Sequence, residues 1–497
     1  MPTPTRPGQT LARGAGLLAA LLLAAPGSGA VVTRGGPLGL HDCRLQHPAG
    51  LGSVPARCGT LQIAENPAEP AGRQLSLAVA VVPALDRPHA LEPLFIVAGG
   101  PGQAASDFYA GYAYAFARAQ RHHDLVLVDQ RGTGRSNRLG CDLPPDLQTK
   151  APSAARLREL AAACRGRLAG RPQYYTTSVA IGDLEAVRAA LGAASISLYG
   201  VSYGTRVVEH YVRRYPGHAR AVVLDGALDP TLSPEPQLAD NAARALALVF
   251  ARCGTEHACA QAFPDPAGQF AALQRTLTGH PQRLRLPDPT SGAATELELD
   301  AAALAATVRI ASYATTSAAL LPFLIDRATH GDFAPLAAQL LMSSAHLDAQ
   351  LAQGMNLAVS CSEDLPRVTP ADRARAALTF TGPQQLQQLT ALCEGWPAGI
   401  VDADLYAPLS SSVPALVLSG ELDPVTPPAF GERAAASFAE HLHVVVPGQA
   451  HGQLAVGCTP RLIAAFLDAG SVRDLDVQCL RQADPAPFVI DLGGPAP

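Results

Sequence analysis

Apolar residues recur along this chain in short unbroken runs that stop at glycine-rich or acidic turns. "LFIV" (Leu94 to Val97) runs into "AGGPG", and "LVLV" (Leu125 to Val128) runs into "DQRGTGRS". "ISLYGV" precedes Ser202, "AVVLD" ends at Asp225, "ALVLSG" ends at Gly420 and "HLHVVV" ends at Val446. Runs of four to six apolar residues are the pattern of parallel strands buried on both faces. "QLSLAVAVV" differs, because Leu75, Leu77, Val79 and Val81 alternate on one face; with "RCGTLQIAENP" before it, it predicts strands of a more exposed kind. Helix-like stretches separate most of the later runs. Strand, loop and helix therefore alternate, which predicts an α/β fold with a mostly parallel sheet flanked by helices.

Between Pro230 and Ala407 the pattern changes. Long Ala/Leu/Gln-rich stretches such as "AALAATVRIASYATTSAALLPFLIDRA" read as helices, buried-strand runs are few, and "LPDPTSG" reads as a surface loop. The expected organisation is a sheet core in two parts, residues 31–230 and 408–497, with a mainly helical cap, residues 231–407, inserted between them. Residues 1–30 stand apart. Arg6 and Arg13 precede "GLLAALLLAAP", and small residues Ser28 and Ala30 close the stretch, the three-part pattern of a signal peptide. The apolar run is short for a membrane span, and no cysteine follows closely that would carry a lipid. The mature chain is expected to be exported, periplasmic or secreted, with no stable membrane anchor.

Export changes the meaning of ten cysteines. They fall into five local couples in chain order: Cys43 with Cys58, Cys141 with Cys164, Cys253 with Cys259, Cys361 with Cys393, and Cys458 with Cys479. Disulfides between these neighbours are expected. A metal at Cys253, His257 and Cys259 is the rival, but the spacing fits no zinc pattern, and no metal is expected. The 497 residues are 48% hydrophobic, enough for a large core, and the formal net charge of −5 with no basic cluster argues against nucleic acid as a partner.

The chemistry gathers around "YGVSYGT". Gly200, Ser202 and Gly204 form a G-x-S-x-G turn between a predicted strand and a predicted helix, the setting of a nucleophile elbow. Side chains two residues either side of the serine would collide there, so glycine is required. A serine needs a base, and the base needs an orienting acid. His451, after the last apolar run, and Asp423, in "GELDPVTPP" after the run before it, supply both in the order Ser, Asp, His. All three would lie at strand C-terminal ends, where open α/β sheets carry their active sites. Asp225 and Asp229, after the strand that follows the elbow helix, are rivals for the acid; Asp423 is preferred for its tight Pro-bounded turn. The oxyanion donors are expected to be the N–H of Tyr203 and that of Gly99 or Gly100 in "AGGPG".

In that order, "GGPG", "VDQRGTGRS", "YGVSYGT", "SGELDPVTP" and "HG" resemble the α/β-hydrolase serine peptidases of the proline iminopeptidase and tripeptidyl aminopeptidase group. "VSCSEDLP" (Val359 to Pro366) and the C-terminal motifs resemble its secreted tripeptidyl aminopeptidase-like branch. The resemblance implies an α/β-hydrolase fold with a helical cap, and release of residues from the free N-terminus of a peptide substrate. It also implies that acidic cap residues bind the substrate's ammonium group, a position matched by Glu363 and Asp364. Two departures leave the cleavage size open: Ala98 stands where proline iminopeptidases carry His, and Tyr203 where they carry Trp. In "DQRGTGRS", Gly132 and Gly134 are expected to shape a turn and Arg131 to pair with an internal acid. The expected activity is a serine exopeptidase without a cofactor; the alternative is a carboxylesterase of the same fold acting on small esters.

Overall fold

The structure, a computed structural model, describes residues 38–141 and 152–495, with the backbone alone over 346–349. The signal-peptide stretch, residues 1–30, lies outside the described residues.

Nine strands form one sheet. In chain order they are β1 (His41–Gln46), β2 (Ser53–Ala64), β3 (Gln74–Val82), β4 (Leu94–Val97), β5 (Leu125–Val128), β6 (Ile196–Val201) and β7 (Ala219–Asp225). A separate hairpin, β8 (Gln282–Pro287) and β9 (Ala294–Leu299), precedes β10 (Ala415–Gly420) and β11 (His441–Val446) of the main sheet. The spatial order is β1-β2-β3-β5-β4-β6-β7-β10-β11. From β5 to β11 every neighbouring pair is parallel, and β1, β2 and β3 join antiparallel at one edge. The apolar runs are the parallel strands, and β4, β5, β6 and β10 are buried at every residue; the run "HLHVVV" departs from the expectation, because β11 is an edge strand in which only Val444 and Val446 are buried.

Strand alternation divides this burial between two cores. Phe95, Val97, Leu198 and Val417 pack on one side with the helices Thr177–Ala190 and Tyr203–Arg214. Leu94, Ile96, Tyr199 and Leu418 pack on the other with the helices Ala105–Phe116 and Thr459–Ala469. Each fully buried side chain of this size contributes about 1.5–3 kcal/mol relative to exposure. Because β4, β6, β7, β10 and β11 run parallel, their C-terminal ends share one edge of the sheet.

Between β7 and β10 the chain is mostly helical and supplies most of a third core, built from residues such as Leu246, Val249, Leu304, Val308 and Ile325 and joined by Leu422 and Phe488 from the C-terminal part. Two features depart from the sequence pattern. The stretch read as continuous helix is broken into Ala301–Ala311, Thr315–Ala318 and Leu321–Thr329, with Asp300 capping the first and Pro322 opening the third. Strands β8 and β9 add a hairpin, in which Leu284 and Leu286 alternate with arginines and Leu297 and Leu299 with glutamates. Disulfides join Cys43–Cys58, Cys141–Cys164, Cys253–Cys259, Cys361–Cys393 and Cys458–Cys479. Among the described residues no helix is long and apolar enough to cross a membrane.

Candidate functional site

Ser202 sits between the end of β6 and the helix Tyr203–Arg214 with φ +55° and ψ −125°. A non-glycine residue in that region costs about 1–3 kcal/mol and persists only where its surroundings enforce it. Here they do. The Ser202 N–H donates to Asp225 O at 2.9 Å, and Ser202 O accepts from Thr205 N at 2.9 Å and Thr205 Oγ1 at 2.7 Å. A Cβ on Gly200 would lie 2.6 Å from Gly204 O, and one on Gly204 would lie 2.7 Å from Ala98 O. The two glycines let the strand and helix meet at an angle no larger residue permits.

The loop after β4 passes directly over this turn. A Cβ on Gly99 would stand 3.0 Å from Ser202 Cβ and 3.6 Å from its Oγ. Gly100 has φ +108°, and a Cβ there would lie 2.7 Å from Gly102 N. Glycine at these two positions lets backbone approach the serine hydroxyl. Tyr203 is buried and opens the elbow helix, where N–H groups lack intrahelical partners. The structure therefore brings Gly99, Gly100 and Tyr203 around Ser202.

Asp423 follows β10 and His451 follows β11. Their Oδ2 and Nδ1 atoms are 2.7 Å apart. Asp423 is fully buried, and its carboxylate also accepts from Val425 N, Thr426 N and Thr426 Oγ1, each at 2.8 Å. Burial pushes its pKa up, but the His451 charge and these hydrogen bonds prevail and hold it below the usual carboxylate range. An ionised carboxylate only accepts, so Nδ1 carries a proton toward Asp423, which leaves Nε2 as the nitrogen that gains or loses a proton. Burial lowers the His451 pKa, yet the Asp423 charge and hydrogen bond, with the Asp225 charge behind them, raise it overall.

Asp225 holds this loop rather than the imidazole. It accepts from Gln453 N at 2.7 Å, Leu454 N at 2.9 Å and the Tyr199 hydroxyl at 2.7 Å. A Cβ on the adjoining Gly226 would lie 3.0 Å from His451 Cε1. The same turn thus meets the serine through Asp225 O and the imidazole through Gly226. Asp229 is engaged elsewhere, by Thr231 at 2.7 Å and by Arg433.

Glu363 and Asp364 lie in one turn, Ser360–Asp364, and both are buried. Glu363 accepts from Thr177 N at 2.7 Å, Thr177 Oγ1 at 2.8 Å and Arg206 Nη1 at 3.1 Å. Asp364 accepts from Arg206 Nη2 at 2.9 Å, the Tyr406 hydroxyl at 3.0 Å and Ser233 Oγ at 3.2 Å. This departs from the expectation that they stand open to a substrate ammonium. Internal donors already engage both carboxylates, and one guanidinium spans them. The cluster keeps two carboxylates for one arginine.

Other groups at the site carry no sequence motif. Glu235, partly buried after β7, has its pKa pushed up to about 7, first by burial and then by the Asp364 charge, against Arg309 and Arg206. Tyr313 sits in the break between the first two fragments of the expected long helix. Its ring meets that of His451 edge-on at 5.6 Å, and its carbonyl accepts from His451 N at 3.0 Å. Thr315 Oγ1 accepts from Ala450 N at 2.9 Å. In the "DQRGTGRS" turn, Arg131 is buried and pairs with Asp183 through Nε at 2.7 Å and Nη2 at 2.6 Å.

Ser202, Asp423 and His451 thus follow β6, β10 and β11 on one edge of the sheet, with Gly226 of the turn after β7 packed against the imidazole. Residues 92–457 match the family model described as alpha/beta hydrolase fold. The chain is similar to a tripeptidyl aminopeptidase of Streptomyces lividans, 30% identical over 195 residues that cover 36% of each chain. It is similar to serine protease Hip1 of Mycobacterium tuberculosis (H37Rv), 28% identical over 216 residues, 40% of this chain and 41% of that one. It is also similar to carboxylesterase B of the same organism, 33% identical over 197 residues, 36% of this chain and 37% of that one. In each case the matched stretch spans well under half of the relative's length.

Proposed function

The chain belongs to the alpha/beta hydrolase fold family and is a serine hydrolase, and on that footing we propose that it is an exported exopeptidase that releases short N-terminal fragments, tripeptides or similar, from peptides with a free amine. The observation that carries the reading is the 2.7 Å pair of Asp423 and His451 on the sheet edge that also holds the strained Ser202. His451 Nε2 takes the Ser202 proton as Oγ attacks the scissile carbonyl carbon. The tetrahedral oxyanion is received by the N–H of Tyr203 and that of Gly99 or Gly100. The proton passes from His451 to the leaving amine, and water, deprotonated by the same imidazole, frees the acyl fragment.

The preference for a free amine is supported by charge. Glu235 holds its proton near neutral pH because burial and the Asp364 charge oppose its ionisation. A substrate ammonium beside it would offset the Asp364 charge, so binding of the cation and ionisation of Glu235 favour each other. Asp364 contributes the negative charge beside Glu235, and Glu363 is held by Thr177 and Arg206. The relatives named tripeptidyl aminopeptidase and serine protease Hip1 support a peptide substrate. Five disulfides and the N-terminal pattern support export. A division into a sheet core, residues 31–230 and 408–497, and a cap, residues 231–407, is supported by the mostly helical chain between β7 and β10, although Ala352, Met355, Ala358 and Val359 pack in the core of the sheet and Leu422 and Phe488 pack with the cap.

A carboxylesterase acting on small esters is the second reading, favoured by the relative named carboxylesterase B. Matched chromogenic substrates separate the two: one amino acid, a dipeptide and a tripeptide, each with a free and an acetylated N-terminus, and a simple acyl ester. Cleavage confined to free amines is expected, with the preferred length fixing the fragment. Equal cleavage of blocked peptides, or turnover of the ester alone, would select the esterase.

A further inference from the structure

One segment of the inserted region, Gln350 to Asp364, touches both halves of the oxyanion hole assigned above. At its start, Ala352 N donates to Gly102 O at 2.9 Å, and Leu351 forms a bridge with Gln103. The Gln103 side-chain amide donates to Gln350 Oε1 at 2.9 Å, and the Asn356 amide donates to Pro101 O at 3.0 Å. A Cβ on Gly102 would lie 2.9 Å from Ala352 O, so the contact needs glycine on the loop side. The loop that carries Gly99 and Gly100 is thus pinned from outside the core.

At its other end the segment reaches Tyr203 through a chain of hydroxyls. Glu363 Oε2 and Thr177 Oγ1 are 2.8 Å apart, Thr177 Oγ1 and the Tyr203 hydroxyl 2.9 Å, and Gln130 Nε2 donates to that hydroxyl at 3.1 Å. The directions are fixed. Burial, against the Arg206 guanidinium and with the Asp364 charge, raises the Glu363 pKa overall, but groups that can only donate, Thr177 N on Oε1 and Arg206 Nη1 on Oε2, make both carboxyl oxygens acceptors. Thr177 must then donate to Glu363 and accept from Tyr203, and Tyr203 must accept from Gln130. Arg206, one turn along the elbow helix, fastens the same end through Glu363 and Asp364.

We propose that residues 350–364 brace the oxyanion hole from both sides, and that Asn356, Thr177 and Glu363 are positioning residues for acyl transfer rather than substrate ligands. The brace holds the Gly99–Gly102 loop and the ring of Tyr203 in a fixed relation, so two backbone donors from different strand ends stay aimed at one oxygen. It rests on the serine hydrolase assignment but is independent of whether the substrate is a peptide or an ester.

The test uses the mature protein with p-nitrophenyl acetate and with a free-amine tripeptide anilide. Thr177→Val removes the relay without changing shape, and Asn356→Leu removes the donor to Pro101. Each is expected to lower kcat ~10-fold or more on both substrates with KM within twofold, since small misplacement of the reacting geometry is costly. Affinity for a small boronic acid, whose adduct on Ser202 places an oxygen in the hole, should weaken in parallel. Thr177→Ser, which keeps the hydroxyl, should restore kcat and also serves if the valine variant folds poorly. Unchanged kcat in both variants would overturn the proposal. So would a rise in KM confined to the free-amine substrate, which would return Glu363 to ammonium binding. Ester turnover without peptide turnover in the wild type would defeat the exopeptidase reading and leave the brace to be judged on the ester.

Discussion

Asp423 accepts a hydrogen bond from His451 at 2.7 Å although the two residues come from different strand ends, and only the imidazole retains any exposure. The buried charge fixes both the tautomer and the basicity of the ring. Asp423→Asn keeps the shape but removes the charge, and an amide nitrogen facing Nδ1 favours the opposite tautomer. We expect kcat to fall on the order of 10³–10⁴-fold, as in other serine triads. The rising limb of the pH–rate profile tracks loss of the His451 proton. It should lie above the ordinary histidine value in the wild type and move down in the variant, because the two leading influences that raise the pKa are gone.

Glu235 should make amine recognition pH-dependent. Its carboxyl takes up a proton as pH falls through about 7. KM for a free-amine tripeptide should therefore rise below neutrality, while KM for an acyl ester should not. Glu235→Gln should raise KM for the free-amine substrate about tenfold at pH 8 and remove that pH dependence, measured by steady-state kinetics between pH 5.5 and 8.5. A wild-type KM that stays flat across this range would sink the assignment.

Arg206 joins the elbow helix to two buried carboxylates. Arg206→Met would leave both without their cation. Breaking one side of a buried ion network costs about 3–5 kcal/mol, which urea unfolding at pH 8 should register. Protonating Glu363, whose pKa burial already raises, offsets part of the loss, so the difference from wild type should narrow at pH 5.

These partnerships mark where the sequence stops being informative. The elbow is legible because its turn constrains three residues within five positions. Asp423 and His451 are legible because each follows a short apolar run that ends in a turn, β10 buried throughout and β11 at the sheet edge. Glu363 and Asp364 are visible as acids, but Arg206 lies 157 and 158 positions away and Thr177 186 away. Nothing local distinguishes a carboxylate that will be enclosed from one that will stay open. Tyr313 was hidden by a run of alanines whose helix propensity masks the break. β1 was missed because it buries only Leu45 among polar neighbours. The hairpin β8–β9 did carry a signal, alternating leucines with arginines on one strand and glutamates on the other, inside a region dominated by helical patterns.

Glu209, on the elbow helix, is buried with neither carboxylate oxygen hydrogen-bonded. Burial first, then the Asp229 charge, pushes its pKa well above the usual carboxylate value against Arg206 and Arg213. A carboxyl with a raised folded-state pKa keeps its proton on folding. Its contribution is complete below the unfolded value and lost as pH rises toward the folded one. The penalty grows by up to about 1.4 kcal/mol per pH unit for one proton. Glu209→Gln does not titrate, so its unfolding free energy should fall less steeply than wild type between pH 5 and 8. Parallel curves would show that Glu209 ionises in the fold.

Every step of the proposed reaction begins at Ser202. Mature wild type and Ser202→Ala should be treated with a fluorophosphonate, mapped by peptide mass spectrometry, and assayed on a free-amine tripeptide anilide. One adduct per chain on the peptide containing Ser202, protected by substrate, with neither adduct nor appreciable turnover in the variant, is the predicted result. An adduct elsewhere, or turnover in Ser202→Ala close to that of the wild type, would contradict it.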